Sequence, residues 1–219
     1  MLKVAEETKK TRVRISKEEL YKTMSVYEKE AFSQGFSLIG GMDEAGRGPL
    51  AGPVVAACVI LDPSKPVLGV NDSKKLSPKR RQELKKEIEE KAIAIGVGIV
   101  DEKRIDEINI LEATKEAMRM AVSNLKVTPD MLFIDAVHLP GVSMEQRSII
   151  KGDALSVSIA AASIIAKETR DEMMVKMDET YPGYGFAKHK GYGTKEHIQA
   201  IQKMGPCPIH RRSFITHFV

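Results

Sequence analysis

Ser37-Leu38-Ile39-Gly40-Gly41-Met42-Asp43-Glu44-Ala45-Gly46-Arg47-Gly48-Pro49 passes from an apolar run to two adjacent acids and then into a glycine-rich loop. The apolar part, Ser37–Met42, has the length and composition of a short buried strand. Val54–Leu61, beyond the loop, reads as a second, and Ala92–Val100, where Ile and Val alternate with Ala and Gly, as a third. Two acids at the mouth of such a strand are costly unless something cationic holds them. Within a regular strand neighbouring side chains point to opposite faces, but where the chain leaves the pleat both Asp43 and Glu44 can address one site. A metal ion would serve as the cation; the plainer alternative is an ion pair between Glu44 and Arg47.

Upstream, Lys17–Phe36 has helical character, with Leu20, Met24, Tyr27 and Phe32 towards one side, and is read as an appendage helix; residues 1 to about 15 are charged and expected to fray. Downstream, Ser77 before Pro78 is a helix start, an N-cap followed by proline at the first helical position, for a charged helix to about Lys91. Ile105, Ile108, Leu111, Met118, Val122 and Leu125 mark a longer amphipathic helix, closed by Pro129. Met131-Leu132-Phe133-Ile134 then runs apolar into Asp135, the pattern of a central strand buried on both faces, which puts a third carboxylate at that strand's C-terminal edge. Ser148–Ile150 reads as another short strand. After Lys151-Gly152-Asp153, the run Ala154–Ala166 carries so many Ala and Ser that its helix can lie close against a sheet. Strands first, then alternating helix and strand, indicate an α/β domain on a mixed sheet without internal repeats. The chain divides into an N-terminal extension (1–36), a core (37–180) and a basic C-terminal segment (181–219).

A length of 219 residues, 42% of them hydrophobic, suffices for one main core. No run approaches the roughly 18 uninterrupted apolar residues of a membrane span, and the N-terminus is charged rather than signal-like. A soluble cytoplasmic protein without a membrane partner is expected. Cys58 and Cys207 lie far apart, which argues against a disulfide framework, a CxxC site and structural zinc. The formal charge of +4 is unevenly spread: Lys188, Lys190, Lys195, Lys203, Arg211 and Arg212 against Glu196 give the last segment +5, leaving the first 180 residues at −1. With Tyr181, Tyr184, Phe186 and Tyr192 interleaved, and four of the five histidines, that segment suits a polyanion with stackable surfaces; the plainer alternative is a solvated tail.

Hard divalent cations such as Mg²⁺ and Mn²⁺ choose oxygen ligands, and phosphodiester cleavage with two ions about 3.5 to 4 Å apart needs several converging carboxylates. Asp43, Glu44 and Asp135 supply three. The fourth is contested between Asp153 and Asp171, which a helix between them would hold about 27 Å apart, too far to share a metal pair. The N-terminus of a helix that follows a strand lies near that strand's C-terminal edge, where Asp135 emerges, which favours Asp153. Asp171 then reads as a partner of Lys167 or Arg170. Gly46-Arg47-Gly48 by itself is an ordinary turn signal. Beside two acids it offers main-chain groups free of Cβ atoms, suited to a 2′-hydroxyl that both donates and accepts, a group that distinguishes RNA from DNA.

The stretch Gly41–Ala57 resembles the signature of bacterial ribonuclease HII, of the type 2 ribonuclease H family. Further blocks agree in order: Asn71–Leu76, Phe133–Ala136, Lys151–Asp153, Ala161–Lys167, His189–Thr194 and Pro208–Phe214, so the likeness extends from about Tyr27 to Phe214. The resemblance implies a ribonuclease H-like fold, a five-stranded mixed sheet flanked by helices with a C-terminal helical segment. It makes Asp43, Glu44, Asp135 and Asp153 the metal-binding catalytic acids, with two Mg²⁺ or Mn²⁺ ions in the catalytic complex. Gly46, Arg47 and Gly48 would recognise the 2′-hydroxyl at an RNA–DNA junction through main-chain groups, and Tyr192 would hydrogen-bond that hydroxyl and stack on the neighbouring deoxyribose. Lys74, His189 and Lys190 would hold phosphates. The implied activity is hydrolysis of the RNA strand of RNA/DNA hybrids and cleavage 5′ of ribonucleotides embedded in duplex DNA, leaving 3′-hydroxyl and 5′-phosphate ends, in the removal of misincorporated ribonucleotides and RNA primers. A monomer is expected, with a sliding clamp as a conceivable recruiting partner.

Two rivals compete with this expectation. A nucleic-acid-binding module without chemistry accounts for the basic C-terminal segment but leaves the four acids unexplained, since an anionic cluster near phosphates is repulsive without metal. A nuclease or strand-transfer enzyme of the same fold acting on DNA alone differs in its response to ribonucleotides.

Overall fold

The computed structural model describes residues 15–217; the terminal residues expected to fray lie outside this range. Lys17–Phe36 forms two helices rather than one, α1 (Lys17–Met24) and α2 (Val26–Ser33). The break falls at Ser25, whose hydroxyl donates to the Tyr21 carbonyl at 2.6 Å and so competes with the helical ladder. Ser16 and Glu19 close a reciprocal capping box at the start of α1. From α2, Tyr27, Ala31 and Phe32 pack on Ile39, Met131 and Phe133, which seats the appendage on the sheet.

There follow β1 (Ile39–Ala45), β2 (Val54–Ile60), α3 (Pro78–Lys91), β3 (Ala94–Val100) and α4 (Glu102–Ser123). Ser77 caps α3 with proline at its first position, as expected. The long amphipathic helix α4 is interrupted at Asn109, which has φ 69°. Its Oδ1 accepts from the N–H groups of Leu111 and Glu112 and thereby caps the second half. Next come β4 (Met131–Asp135), β5 (Glu145–Ile149), α5 (Val157–Thr180), α6 (Phe186–His189), α7 (Lys195–Met204) and α8 (Arg212–Ile215). The strand expected at Ser148–Ile150 begins earlier and stops one residue sooner, because it pairs from Met131 with Glu145 onward and, as an edge strand, uses polar residues that an apolar pattern does not reveal.

The sheet order is β3-β2-β1-β4-β5, with β1 antiparallel to β2, β2 antiparallel to β3, and both β1–β4 and β4–β5 parallel. This is a ribonuclease H-like five-stranded mixed sheet flanked by helices. Helix α4 covers the face carrying Met42, Ala56, Cys58 and Ile134, while α5 and α3 cover the face carrying Ala57 and Val59. The small residues of α5 serve their expected purpose at Gly41: a Cβ there would stand 2.0 Å from the Ser158 carbonyl carbon, so helix and strand meet backbone to backbone. Gly41→Ala must push α5 off the sheet. A loss of about 3 kcal/mol is expected, roughly 10 °C in thermal melting; a shift of less than a few degrees contradicts the contact.

Candidate active site

The acids owe their position to an unequal ending of strands. β1 pairs with β4 only as far as Met42 and Ile134, whereas its pairing with β2 continues through Asp43–Ala57 and Glu44–Ala56 to Ala45–Val55. Asp43 and Glu44 therefore lie inside a strand, not beyond one as the apolar pattern suggests, and alternation is retained: the partner of Asp43 belongs to the core under α5 and the partner of Glu44 to the core under α4. Their β4 flank is nevertheless uncovered, and both line one cavity of about 590 Å³ together with Ala45, Gly46, Arg47, Gly48, Ser73, Lys74, Ser163, Lys167 and Tyr192. Asp135 ends β4 at the next position of the neighbouring strand. Its Oδ1 accepts from Gly152 N–H at 2.9 Å, tying down the short turn Gly152–Ala154 that carries Asp153 ahead of α5.

Electrostatics joins these four carboxyls. Burial, then the charge of Glu44, holds Asp43 well above the usual carboxylate range, against hydrogen bonds from Ser163 and the Glu44 N–H and with a further push from Asp135. Burial raises Glu44 too; Arg47, at 3.4 Å, and Lys74 counter it, and Asp135 adds to it. The Glu44–Arg47 ion pair considered as the plainer explanation is thus present, yet it leaves the carboxyl raised. Asp153 is raised by burial and by the charges of Asp72 and Asp135. Among the described residues no three His, Cys, Asp or Glu side chains stand close enough to chelate one ion as they are. The charge of Asp135 pushes on Asp43, Glu44 and Asp153, and such a set of partly or wholly buried carboxyls nevertheless suits oxygen-seeking divalent cations, whose charge would relieve that repulsion. Asp171 does not line this cavity: it pairs with Lys167 at 2.7 Å and Arg81 at 3.7 Å beside a neighbouring cavity. Arg170, its other expected partner, points elsewhere.

Arg170 and Arg211 organise the glycine-rich loop, and sequence reading assigned neither to it. Arg211, fully buried, donates to the carbonyls of Gly46, Arg47, Pro49, Gly52 and Pro53 at 2.6 to 3.2 Å. Arg170, 1% exposed, donates to those of Pro53, Ala51 and Lys190. Burial pushes these guanidinium groups down to about 9 and about 10, so both stay charged at neutral pH. With its carbonyls held by these guanidinium groups, the loop leaves Arg47 and Gly48 exposed, and their N–H groups donate to nothing among the described residues. Gly46 has φ +98°, and a Cβ on it would strike Arg170 at 2.2 Å. One signal of Arg170 was present, its place four residues from each of Ala166 and Met174 on the buried stripe of α5.

The C-terminal segment presents part of the exposed basic, aromatic face expected of it: Lys188, Lys195, Lys203, Arg212 and Tyr192 are exposed, while other members are turned inward. Arg211 serves the loop, Lys188 pairs with Glu196, and Lys190 Nζ donates to the Ala187 carbonyl. Phe186 is buried; Tyr184 stacks on it and donates to the Gly205 carbonyl at 2.7 Å. Tyr192, at 44% exposure, faces solvent, and a Cβ on Gly48 would lie 3.9 Å from its ring. A buried packing role for Tyr192 is thereby excluded. Lys74 is exposed at the cavity edge. His189 has both ring nitrogens engaged, with the Tyr184 carbonyl and the Gly191 N–H, although its ring borders the second cavity. His197 and His210 are buried.

Burial pushes His210 down to about 4 from 6.5 and lowers His197 as well. The unfolded chain therefore binds protons that the fold refuses, so stability is complete above pH 6.5 and falls as pH drops towards 4. The stability advantage of the wild type over His210→Gln should shrink by about 2 kcal/mol between pH 7 and pH 4.5. Denaturant titrations at the two pH values measure it, and a constant difference contradicts the buried neutral ring.

Residues 40–217 match the family model described as Ribonuclease HII. The ribonuclease HII of Acetivibrio thermocellus is 60% identical over 99% of this chain and 85% of its own length. That of Chlamydia muridarum is 57% identical over 91% and 92%. Among solved structures, the ribonuclease H2 of Pyrococcus horikoshii superposes with a TM-score of 0.67 at 28% identity, covering 81% of this chain and 93% of that one. The ribonuclease HII of Archaeoglobus fulgidus, solved in complex with PCNA, gives 0.69 at 27% identity, covering 82% and 96%. With nearly the whole length of the chain matched to these relatives and the fold shared with the solved structures, the protein belongs to the ribonuclease HII family and is a ribonuclease H, a hydrolase of RNA.

Proposed function

We propose that this ribonuclease H cuts the RNA strand of RNA/DNA hybrids and the phosphodiester on the 5′ side of a ribonucleotide embedded in duplex DNA, leaving 3′-hydroxyl and 5′-phosphate ends. The observation that carries the reading is the shared cavity, lined by Asp43 and Glu44, by the exposed Arg47 and Gly48, whose N–H groups donate to nothing among the described residues, and by the exposed ring of Tyr192. Asp43, Glu44, Asp135 and Asp153 would hold two divalent ions. Bound there, Mg²⁺ or Mn²⁺ supplies the charge that makes water a nucleophile and stabilises the leaving 3′-oxygen.

The chain's own groups do the selecting. Main-chain groups of Gly46, Arg47 and Gly48 read the 2′-hydroxyl, held in place by Arg211 and Arg170 beneath. Tyr192 donates to that hydroxyl, and its ring covers the adjoining deoxyribose, where a further 2′-hydroxyl would crowd it. Lys74 and Lys190 attract the phosphates flanking the cut, and His189 supports the Lys190 turn from within. The PCNA complex of the Archaeoglobus relative favours a sliding clamp as a recruiting partner here too.

The experiment is incubation of a duplex carrying one ribonucleotide, alongside an all-DNA duplex of the same sequence, with Mg²⁺ and separately Mn²⁺. Cleavage 5′ of the ribonucleotide alone is expected. Uncut ribonucleotide duplex with both ions, from protein that melts cooperatively, refutes the reading, and equal cutting of both duplexes favours the DNA-only rival. Tyr192→Phe should lower the preference for the junction phosphate about tenfold, the scale of one hydrogen bond; an unchanged cleavage pattern within a short ribonucleotide tract contradicts the assigned contact.

A further inference from the structure

Beneath the exposed ring of Tyr192 runs a chain of hydrogen bonds through two buried histidines. The Tyr192 carbonyl accepts from Thr194 N–H at 2.8 Å and lies 2.9 Å from His197 Nδ1. His197 Nε2 is 3.0 Å from His210 Nε2, and His210 Nδ1 is 2.9 Å from the backbone N of Cys207. Neutral rings can satisfy these links in one way. The Cys207 N–H only donates, so His210 Nδ1 accepts and the ring proton sits on Nε2. That proton goes to His197 Nε2, which leaves the His197 proton on Nδ1, donated to the Tyr192 carbonyl. The Cys207 carbonyl, 3.2 Å from His210 Nδ1, already accepts from the His210 N–H. The Cys207 thiol, 3.1 Å from the same Nδ1 and pushed up by burial, is a second donor to it.

The chain begins in the segment that also holds the glycine-rich loop, since Arg211 follows His210 directly. Cys207–Arg211 thus grips both halves of the proposed junction reader: Arg211 through the loop carbonyls, His210 through His197 to the main chain of Tyr192. Packing alone does not require imidazoles here. His197 stands edge-on to Phe186, with ring centres 5.4 Å apart, and stacks on His189 at 4.4 Å, contacts that a phenylalanine can make.

We propose that His197 and His210 form a positioning relay that fixes the main chain of Tyr192 over Gly48, and thereby set the preference for the phosphate at a ribonucleotide-to-DNA junction. The proposal rests on the reading of Tyr192 given above. His197→Phe removes both links and keeps the ring contacts. His197→Asn places an amide N–H near the former Nδ1 and keeps the bond to Tyr192.

The test uses the full chain. Imidazole ¹⁵N shifts at neutral pH should show His197 protonated on Nδ1 and His210 on Nε2; the opposite tautomers overturn the relay. On a duplex with a short ribonucleotide tract, the ratio of cutting at the junction phosphate to cutting elsewhere is internal to one substrate, so loss of folded protein cancels from it. His197→Phe should lower that ratio about tenfold, and His197→Asn, which keeps the bond to Tyr192 but loses the link to His210, should recover only part of that loss; full recovery would remove His210 from the relay. If Tyr192→Phe shifts the ratio while His197→Phe does not, the relay falls and the Tyr192 reading stands. An unchanged ratio in Tyr192→Phe removes that reading and this proposal with it.

Discussion

Asp43→Asn should lower cleavage of the single-ribonucleotide duplex by at least about a thousandfold, near 4 kcal/mol of barrier, while raising the melting temperature measured in chelator. Both halves come from one feature. Asp43 is 6% exposed and held well above the usual carboxylate range by burial and by Glu44. A carboxyl whose folded value exceeds its unfolded value takes up protons on folding, so its contribution is favourable in acid and is lost as pH rises through the folded value. As pH rises above the unfolded value the buried carboxyl therefore becomes a burden on the fold, and the amide removes it at nearly constant volume. A gain of about 2 to 4 °C is expected, read by calorimetry without divalent ions, alongside cleavage assays with Mg²⁺. Near-normal cleavage would remove Asp43 from the catalytic set, and a lower melting temperature would make its role structural.

Arg211→Lys should be the most damaging conservative change in the chain. An ammonium has three donors at a single point, whereas the guanidinium reaches five carbonyls spread from Gly46 to Pro53. Lysine satisfies one or two of them and leaves the others buried without a donor, at about 1 to 3 kcal/mol each. A loss of about 4 kcal/mol is expected, more than 10 °C in melting, together with about a hundredfold drop in cleavage at temperatures where the variant is still folded. Arg170→Lys, with three carbonyls to serve, should lie between it and the wild type. A Lys variant that melts and cuts like the wild type would show that the loop holds its shape unaided.

The parts of this site legible in the sequence are those set by neighbours along the chain. An apolar run ending in Asp135 announces a buried strand with a carboxylate at its edge. Ser77-Pro78 announces a helix start. Small residues in Ala154–Ala166 announce a helix against a sheet, and helix length separates Asp153 from Asp171. Each is a matter of period, cap or rise per residue, so no knowledge of the partner segment is needed. Ser25 and Asn109 escaped because a hydroxyl or amide that turns on its own backbone leaves no mark in an apolar pattern.

What only the tertiary structure decided is which polar groups are inside. Charge and aromatic content made residues 181–219 resemble an exposed polyanion surface, yet Arg211, His197, His210 and Phe186 are buried there, while Tyr192 faces solvent. Composition counts an arginine as a surface cation because an unsatisfied buried charge is prohibitive. Arg211 is admitted because the loop carbonyls from Gly46 to Pro53, more than 150 residues earlier, fold around it. The unequal endings of β1 and β4, which uncover Asp43 and Glu44, likewise depend on the register between segments some 90 residues apart. The sequence by itself determined the acids, the loop and the order of elements, through local periodicity; the pairing of distant segments alone decided how a buried cation holds that loop in place.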